Sequence, residues 1–145
     1  MSLQYPPQVG DVLLCDYPEW VDNGDLAIGE MQKRRLVVVL HNRLPYRDRL
    51  VAVAPFSTTP PRQSVAYQCK VTFEKPPPDP FSSLIKWAKA DMINTVSYDR
   101  LSLPYDGKDA ATSRRKYVKI RLPKEDMEKI KRCVCISLGL QTLTP

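Results

Sequence analysis

The stretch Glu30-Met31-Gln32-Lys33-Arg34-Arg35-Leu36-Val37-Val38-Val39-Leu40 sets one acid and three consecutive bases ahead of a purely apolar run. A strand without apolar/polar alternation is covered on both faces, so Leu36 to Asn42 predicts a strand at the centre of the fold. Burial fixes the start of such a strand rigidly, and Arg35 is expected there as its first residue. A guanidinium held at that lip suits a phosphate, because its planar fork binds two oxygens and keeps its charge. Read by themselves, the same bases also fit a solvated strand entrance.

Further strands assemble outward from this one. Asp11 to Tyr17, opened by Gly10, predicts a first strand, and residues 18–34 carry the Pro18, Asn23-Gly24 and Gly29 of a long loop. After a turn at Arg43 to Asp48, Leu50 to Ala54 predicts a third strand running into Pro55. Ser64 to Phe73 alternates, with Val65, Tyr67, Cys69, Val71 and Phe73 on one side, as a half-buried antiparallel strand does. Pro76 to Pro80 is a stiff extended loop. Leu84 to Val96 holds another strand or two, and Lys116 to Leu122 one more. A helix is expected from Pro123, with Glu125 and Asp126 in its first turn, Lys131 and Arg132 nearer its end and Gly139 closing it. Met127, Ile130, Val134 and Leu138 form its apolar stripe. The predicted fold class is mainly β with a C-terminal α-helix, a small curled antiparallel barrel forming one domain over 1–145. The 14 prolines fit this reading, since nearly all fall between the strands.

A net charge of +6 favours a polyanionic partner, with RNA, DNA and acidic membranes all open on charge alone. No apolar stretch approaches the roughly 20 residues that span a bilayer. The N-terminus lacks the basic region and apolar core of a signal peptide. A cytoplasmic protein is therefore expected. Of the 4 cysteines, Cys15 and Cys69 lie within apolar strand patterns as small hydrophobes, while Cys133 and Cys135 face different directions on the helix. With 1 histidine and no C-x-x-C spacing, neither a structural metal nor a disulfide is expected, and no cofactor.

The run Val53-Ala54-Pro55-Phe56-Ser57-Thr58-Thr59-Pro60-Pro61 places three hydroxyls between a buried strand and a double proline that ends ladder pairing. Such hydroxyls donate to phosphate oxygens or cap the local backbone. Together with Arg35 on a neighbouring strand they suggest a phosphate site built from a cation and a hydroxyl.

Gly10-Asp11-Val12, Glu30 to Leu40, Val53 to Thr59, Asp91-Met92-Ile93-Asn94-Thr95-Val96 and Ile136-Ser137-Leu138-Gly139-Leu140 occur in an order that resembles the MazF/PemK family of bacterial toxins. The resemblance spans nearly the whole chain. It implies an SH3-like barrel, a homodimer, a cognate antitoxin partner and metal-independent cutting of single-stranded RNA at short motifs. By position, Arg35 matches the family's catalytic arginine and Glu30 an acid found ahead of it in some members. Ser57 stands where the family has a catalytic threonine, and Thr58 is the alternative hydroxyl. Leu36 departs from the family's usual proline. Lys33, Arg34, Thr59, Lys89, Asn94 and Arg115 are expected to bind the RNA.

The chemistry implied is attack of the RNA's own 2′-hydroxyl on the adjacent phosphate, giving 2′,3′-cyclic phosphate and 5′-hydroxyl ends. Arg35 would neutralise the charge that builds on the phosphate, and Ser57 would hold it or relay a proton. Glu30 accepts the 2′-proton, orients Arg35, or is a salt-bridged surface acid with no chemical role. His41 is read as a packed, hydrogen-bonded side chain in the strand, not a general acid. Trp87, between Lys86 and Lys89, is either a core tryptophan or a stacking partner for a base. The basic strand Arg114-Arg115-Lys116 with Lys119 and Arg121 can track RNA, hold an acidic antitoxin tail or face solvent. Two other readings share this framework: a gyrase-poisoning toxin on the same barrel, and a catalytically dead nucleic-acid-binding module.

Overall fold

The computed structural model describes residues 3, 6–17, 21–22, 25–26, 33–108 and 110–140. Its strands are β1 (Val12–Tyr17), β2 (Val21–Asp22), β3 (Asp25–Leu26), β4 (Lys33–His41), β5 (Leu50–Ser57), β6 (Gln68–Thr72), β7 (Ile85–Lys89), β8 (Asn94–Ser97), β9 (Leu101–Ser102), β10 (Tyr105–Lys108) and β11 (Arg115–Tyr117). One helix, α1 (Lys124–Ser137), follows them. The main sheet is antiparallel in the order β6-β7-β5-β4-β1-β9, with β8 also on β5. The predicted mainly-β fold with a C-terminal helix is thus the fold found. Among the described residues no helix is long and apolar enough to cross a membrane.

The unbroken apolar run becomes the middle of the sheet, as its pattern requires. Leu36, Val38 and Leu40 face a core shared with α1, while Val37 and Val39 face a second core with Val51, Val53, Val96 and Leu101. Burial on both faces leaves β4 no solvated side over Leu36–Leu40. The strand nevertheless begins earlier than expected. Register with β1 runs from Val12↔Val38 to Tyr17↔Lys33, so Arg35 is the third residue of β4, opposite Cys15.

β5 likewise outruns its expected end. It pairs with β8 over Leu50–Val53 and with β7 at Phe56 and Ser57, and Pro55 lies at the changeover. A proline is tolerated there because the neighbouring ladder is interrupted, so no hydrogen bond is forfeited. Beyond the exchange, β7 and β6 pack Ala88, Cys69 and Val71 into the helix-side core.

The strand expected over Ser64 to Phe73 is ordered as a ladder only over β6; Cys69 and Val71 point inward as the alternation required, but Tyr67 is exposed. The Lys116 to Leu122 strand is divided: β11 pairs with β10, and Arg121 forms an isolated bridge to Asp11. α1 begins after Pro123 and closes through Gly139 at φ +73°. There the amides of Gly139 and Leu140 donate to the carbonyls of Ile136 (3.0 Å) and Cys135 (2.7 Å), a left-handed cap that glycine adopts without steric cost. The buried stripe is Met127, Ile130 and Cys133; Leu138, beyond the last turn, is exposed. Ser137 instead anchors the helix end, donating to the Ala90 carbonyl at 3.1 Å.

Candidate functional site: an arginine and a serine on one face of the sheet

Side chains two apart on a strand share a face, and residues directly opposite across an antiparallel pair share it too. Val37 stands opposite Pro55. Arg35 lies two residues before Val37 and Ser57 two after Pro55, so alternation along each strand carries both to one face of the sheet. Ser57 in turn stands opposite Trp87 on β7, and Trp87 opposite Lys70 on β6. Lys89 shares the face of Trp87, and Asn94, opposite Val53, lies on it as well. Five strands thus bring Arg35, Ser57, Trp87, Lys70, Lys89 and Asn94 to one surface that borders the second core.

The local geometry of Ser57 favours donation. Its Oγ accepts the backbone N–H of Thr59 at 3.1 Å, a short turn that orients the hydroxyl and leaves its hydrogen to donate elsewhere. Thr58 follows the end of β5 and is exposed, as is Thr59. Since Phe56 and Ser57 pair with consecutive residues of β7, the strand passes straight through them; Phe56 goes into the helix-side core and Ser57 to the other face.

Arg35 is partly buried, and near it lies Tyr17, with Arg100 against the Tyr17 ring, two residues that sequence reasoning missed. Burial, with Cys15 adding to it, pushes the Tyr17 phenol above its ordinary pKa, and Arg100 and Arg35 pull the other way. The phenol rests against the Cys15 thiol without a well-formed hydrogen bond. Arg100 stacks 5.5 Å from the Tyr17 ring centre and donates Nε–H to the Asp16 carbonyl at 2.9 Å. No sequence signal pointed to this pair, because β9 and the turn before it meet β1 only in the folded sheet.

Of the other expected residues, Lys33, two before Arg35 on β4, shares its face, and the rest lie apart. Arg34 falls on the helix-side face and forms an exposed ion pair with Asp16 at 2.8 Å. Arg115 stacks 4.5 Å from the centre of the Tyr105 ring on the β10–β11 ribbon. Lys33 is exposed, opposite Tyr17. Lys86, expected beside Trp87, instead points to the helix-side face at 2% exposure, donating to the Phe81 carbonyl at 2.8 Å. His41 is exposed at an irregularity of β4, not packed into it. Trp87 belongs to neither core and is half-buried. Glu30 lies outside the described residues. Among the described residues no cluster of three histidine, cysteine or carboxylate side chains is placed to hold a metal ion.

This arrangement, an antiparallel sheet with a terminal helix and an arginine and a serine on one face, meets a family match over most of the chain. Residues 8–138 match the PemK-like, MazF-like toxins of type II toxin–antitoxin systems, and the chain belongs to that family. The YifN protein of Escherichia coli strain K12 is 29% identical over 156 residues, covering 99% of both chains. Among solved structures, an endoribonuclease in complex with its cognate antitoxin from a mycobacterial species aligns with a TM-score of 0.57 at 20% identity, over 92% of this chain and 96% of that one. A second mycobacterial endoribonuclease aligns with a TM-score of 0.56 at 18% identity, over 94% of each chain. At these identities the structural likeness is one of fold.

Proposed function

We propose that this chain is a sequence-specific, metal-independent endoribonuclease toxin that cleaves single-stranded RNA. In this reading it acts as a cytoplasmic homodimer and is neutralised by a cognate antitoxin. The alternation that brings Arg35 and Ser57 to one face of neighbouring strands carries the proposal, because it joins a permanent cation and a hydroxyl donor there. Family membership supports the toxin assignment, and the two mycobacterial structures of this fold are themselves endoribonucleases.

The reaction needs little from the protein beyond position and charge. The 2′-oxygen of the RNA attacks phosphorus, the bond to the 5′-oxygen breaks, and the products are a 2′,3′-cyclic phosphate and a 5′-hydroxyl. Arg35 donates to the non-bridging oxygens as negative charge builds on them, and Ser57 adds a further donor. Arginine stays protonated and serves as no base. The 2′-proton passes to Glu30 or to water, and the departing 5′-oxygen takes up a proton.

Incubating the pure protein with a mixed RNA pool in EDTA and sequencing the new ends tests this. Cuts at a recurring short motif, with 5′-hydroxyl ends, are expected. Cutting that appears only with added magnesium overturns the mechanism. RNA left intact under every condition overturns the nuclease assignment in favour of a non-catalytic toxin on this barrel.

A further inference from the structure

The indole of Trp87 is left unexplained by folding. On β7 the alternation places Lys86 and Ala88 toward the helix-side core, so this face of the strand needs no aromatic residue. Trp87 nonetheless sits there half-buried, directly opposite Ser57 on one side and Lys70 on the other. Directly opposed residues hold their Cβ atoms about 4.5–5.5 Å apart, so the indole is one strand from the proposed catalytic hydroxyl. Lys89 lies on the same face, two residues along β7. A half-buried aromatic ring flanked by cations, one strand from a phosphate site, has the chemistry of a nucleobase platform: the ring stacks on a base and the ammonium groups meet the adjoining phosphates.

We propose that Trp87 stacks on the nucleobase next to the scissile phosphate, with Lys70 and Lys89 holding the flanking backbone, and that this subsite makes the enzyme require unpaired RNA. The inference rests on the endoribonuclease reading. A paired base has both its faces covered by neighbours and cannot lie on an indole, whereas an unpaired one is splayed out and can. Stacking accepts any base because every base has a π-face, so the platform selects strandedness while other contacts read sequence. Lys86, despite being adjacent in sequence, takes no part, because its ammonium is held by the Phe81 carbonyl on the other face.

The test uses an RNA oligomer spanning the mapped cleavage motif, with a 2′-deoxy nucleotide at the cut position so that it stays whole. Fluorescent 2-aminopurine is placed in turn on either side of the scissile linkage. Wild-type protein is expected to quench one of the two positions. Trp87→Ala should abolish that quenching and weaken binding by about 10- to 100-fold, the loss expected of one stacked base. Cleavage at saturating RNA should change far less than KM. Trp87→Phe should restore most of both signals. Should Trp87→Ala lose the fold, Trp87→Thr makes the same comparison with a residue suited to an exposed strand position. Equal quenching and binding by wild type and variant overturn the platform, as does a loss confined to kcat. If the wild type cuts no RNA, the nuclease reading fails, while quenching of the oligomer, built then around a random single-stranded sequence, still decides whether Trp87 stacks on bases.

Discussion

Pro55 stands opposite Val37, at the point where β5 exchanges β8 for β7 on its other edge. A residue without an N–H at this place lets the strand continue without a missing ladder bond. The continuation is what matters chemically. It keeps the alternation of β5 intact from Val53 through Ser57, so the serine arrives on the face of Arg35 and not in the core occupied by Phe56. A bulge at Pro55 would turn Ser57 inward and Thr58 outward.

Arg35→Ala should lower RNA cleavage by about 10²- to 10³-fold, the usual effect of removing a donor that meets transition-state charge. Arg35→Lys should be nearly as damaging, because an ammonium is a point charge and cannot bind two oxygens in a plane. Circular dichroism and thermal melting should stay close to wild type, since Arg35 is only partly buried and its neighbours Leu36 and Val37 carry the packing. Full activity in the lysine variant would reduce Arg35 to general electrostatic attraction.

His41 offers a control on the same strand. It lies six residues from Arg35, about 20 Å away along an extended chain. His41→Ala should therefore leave single-turnover cleavage within about twofold of wild type and produce no change in its pH profile, since an exposed residue at that distance cannot reach the reacting atoms. A collapse of activity would mean that the histidine reaches the substrate from a second copy of the chain.

How much of this was readable in the sequence depended on whether the signal was local. Leu36–Leu40 announces a two-sided burial by composition alone, and the acidic first turn and Gly139 mark the limits of α1. Arg35 and Ser57 were each visible as residue types, but their sharing a face depends on a cross-strand register that no local pattern encodes. The start of β4 was misplaced for the same reason: Lys33 and Arg34 join the strand through Tyr17 and Asp16 of β1. On β7 the reading of Lys86 failed because a buried lysine contradicts hydropathy; the Phe81 carbonyl and the Phe73 ring, 5.7 Å away, compensate it. On α1, Cys133 joins Met127 and Ile130 in the core beside Val134, whereas Leu138 lies beyond the last turn and is exposed, Ser137 anchoring the helix end instead.

Alkaline pH should destabilise the fold through its thiols. Burial, opposed by Arg100, pushes Cys15 up to about 11 from an ordinary 9.0. Burial and the neighbouring Cys133 push Cys69 up to about 12. Between these values the unfolded chain has lost the protons that the folded chain retains, so the stabilisation is complete below pH 9 and declines as pH rises toward 11 and 12. Melting temperature should fall across that window. Cys15→Ala should melt lower at pH 7 because it opens a small cavity, and its melting temperature should decline less steeply above pH 9. Parallel wild-type and variant curves would remove Cys15 as a source of the pH dependence.

The choice between the two candidate hydroxyls follows from the straight course of β5. Ser57→Ala should lower turnover by one to a few orders of magnitude, as expected for losing one transition-state hydrogen bond worth about 2.7–4 kcal/mol. Ser57→Thr should keep substantial activity, since the threonine retains the hydroxyl and adds only a methyl at a partly exposed position. Thr58→Ala should be mild, because Thr58 is exposed past the end of the strand and adjacent residues of an extended segment point to opposite faces. Thr59 contributes its backbone N–H, not its side chain, to the turn that orients Ser57. Thr59→Ala should therefore be tolerated, whereas Thr59→Pro removes that donor and should impair cleavage without touching any side chain of the site. Single-turnover cleavage of one short RNA by these variants separates the alternatives. An inactive Thr58→Ala beside a healthy Ser57→Ala would assign the catalytic hydroxyl to Thr58 and require β5 to bend at Pro55 when RNA binds.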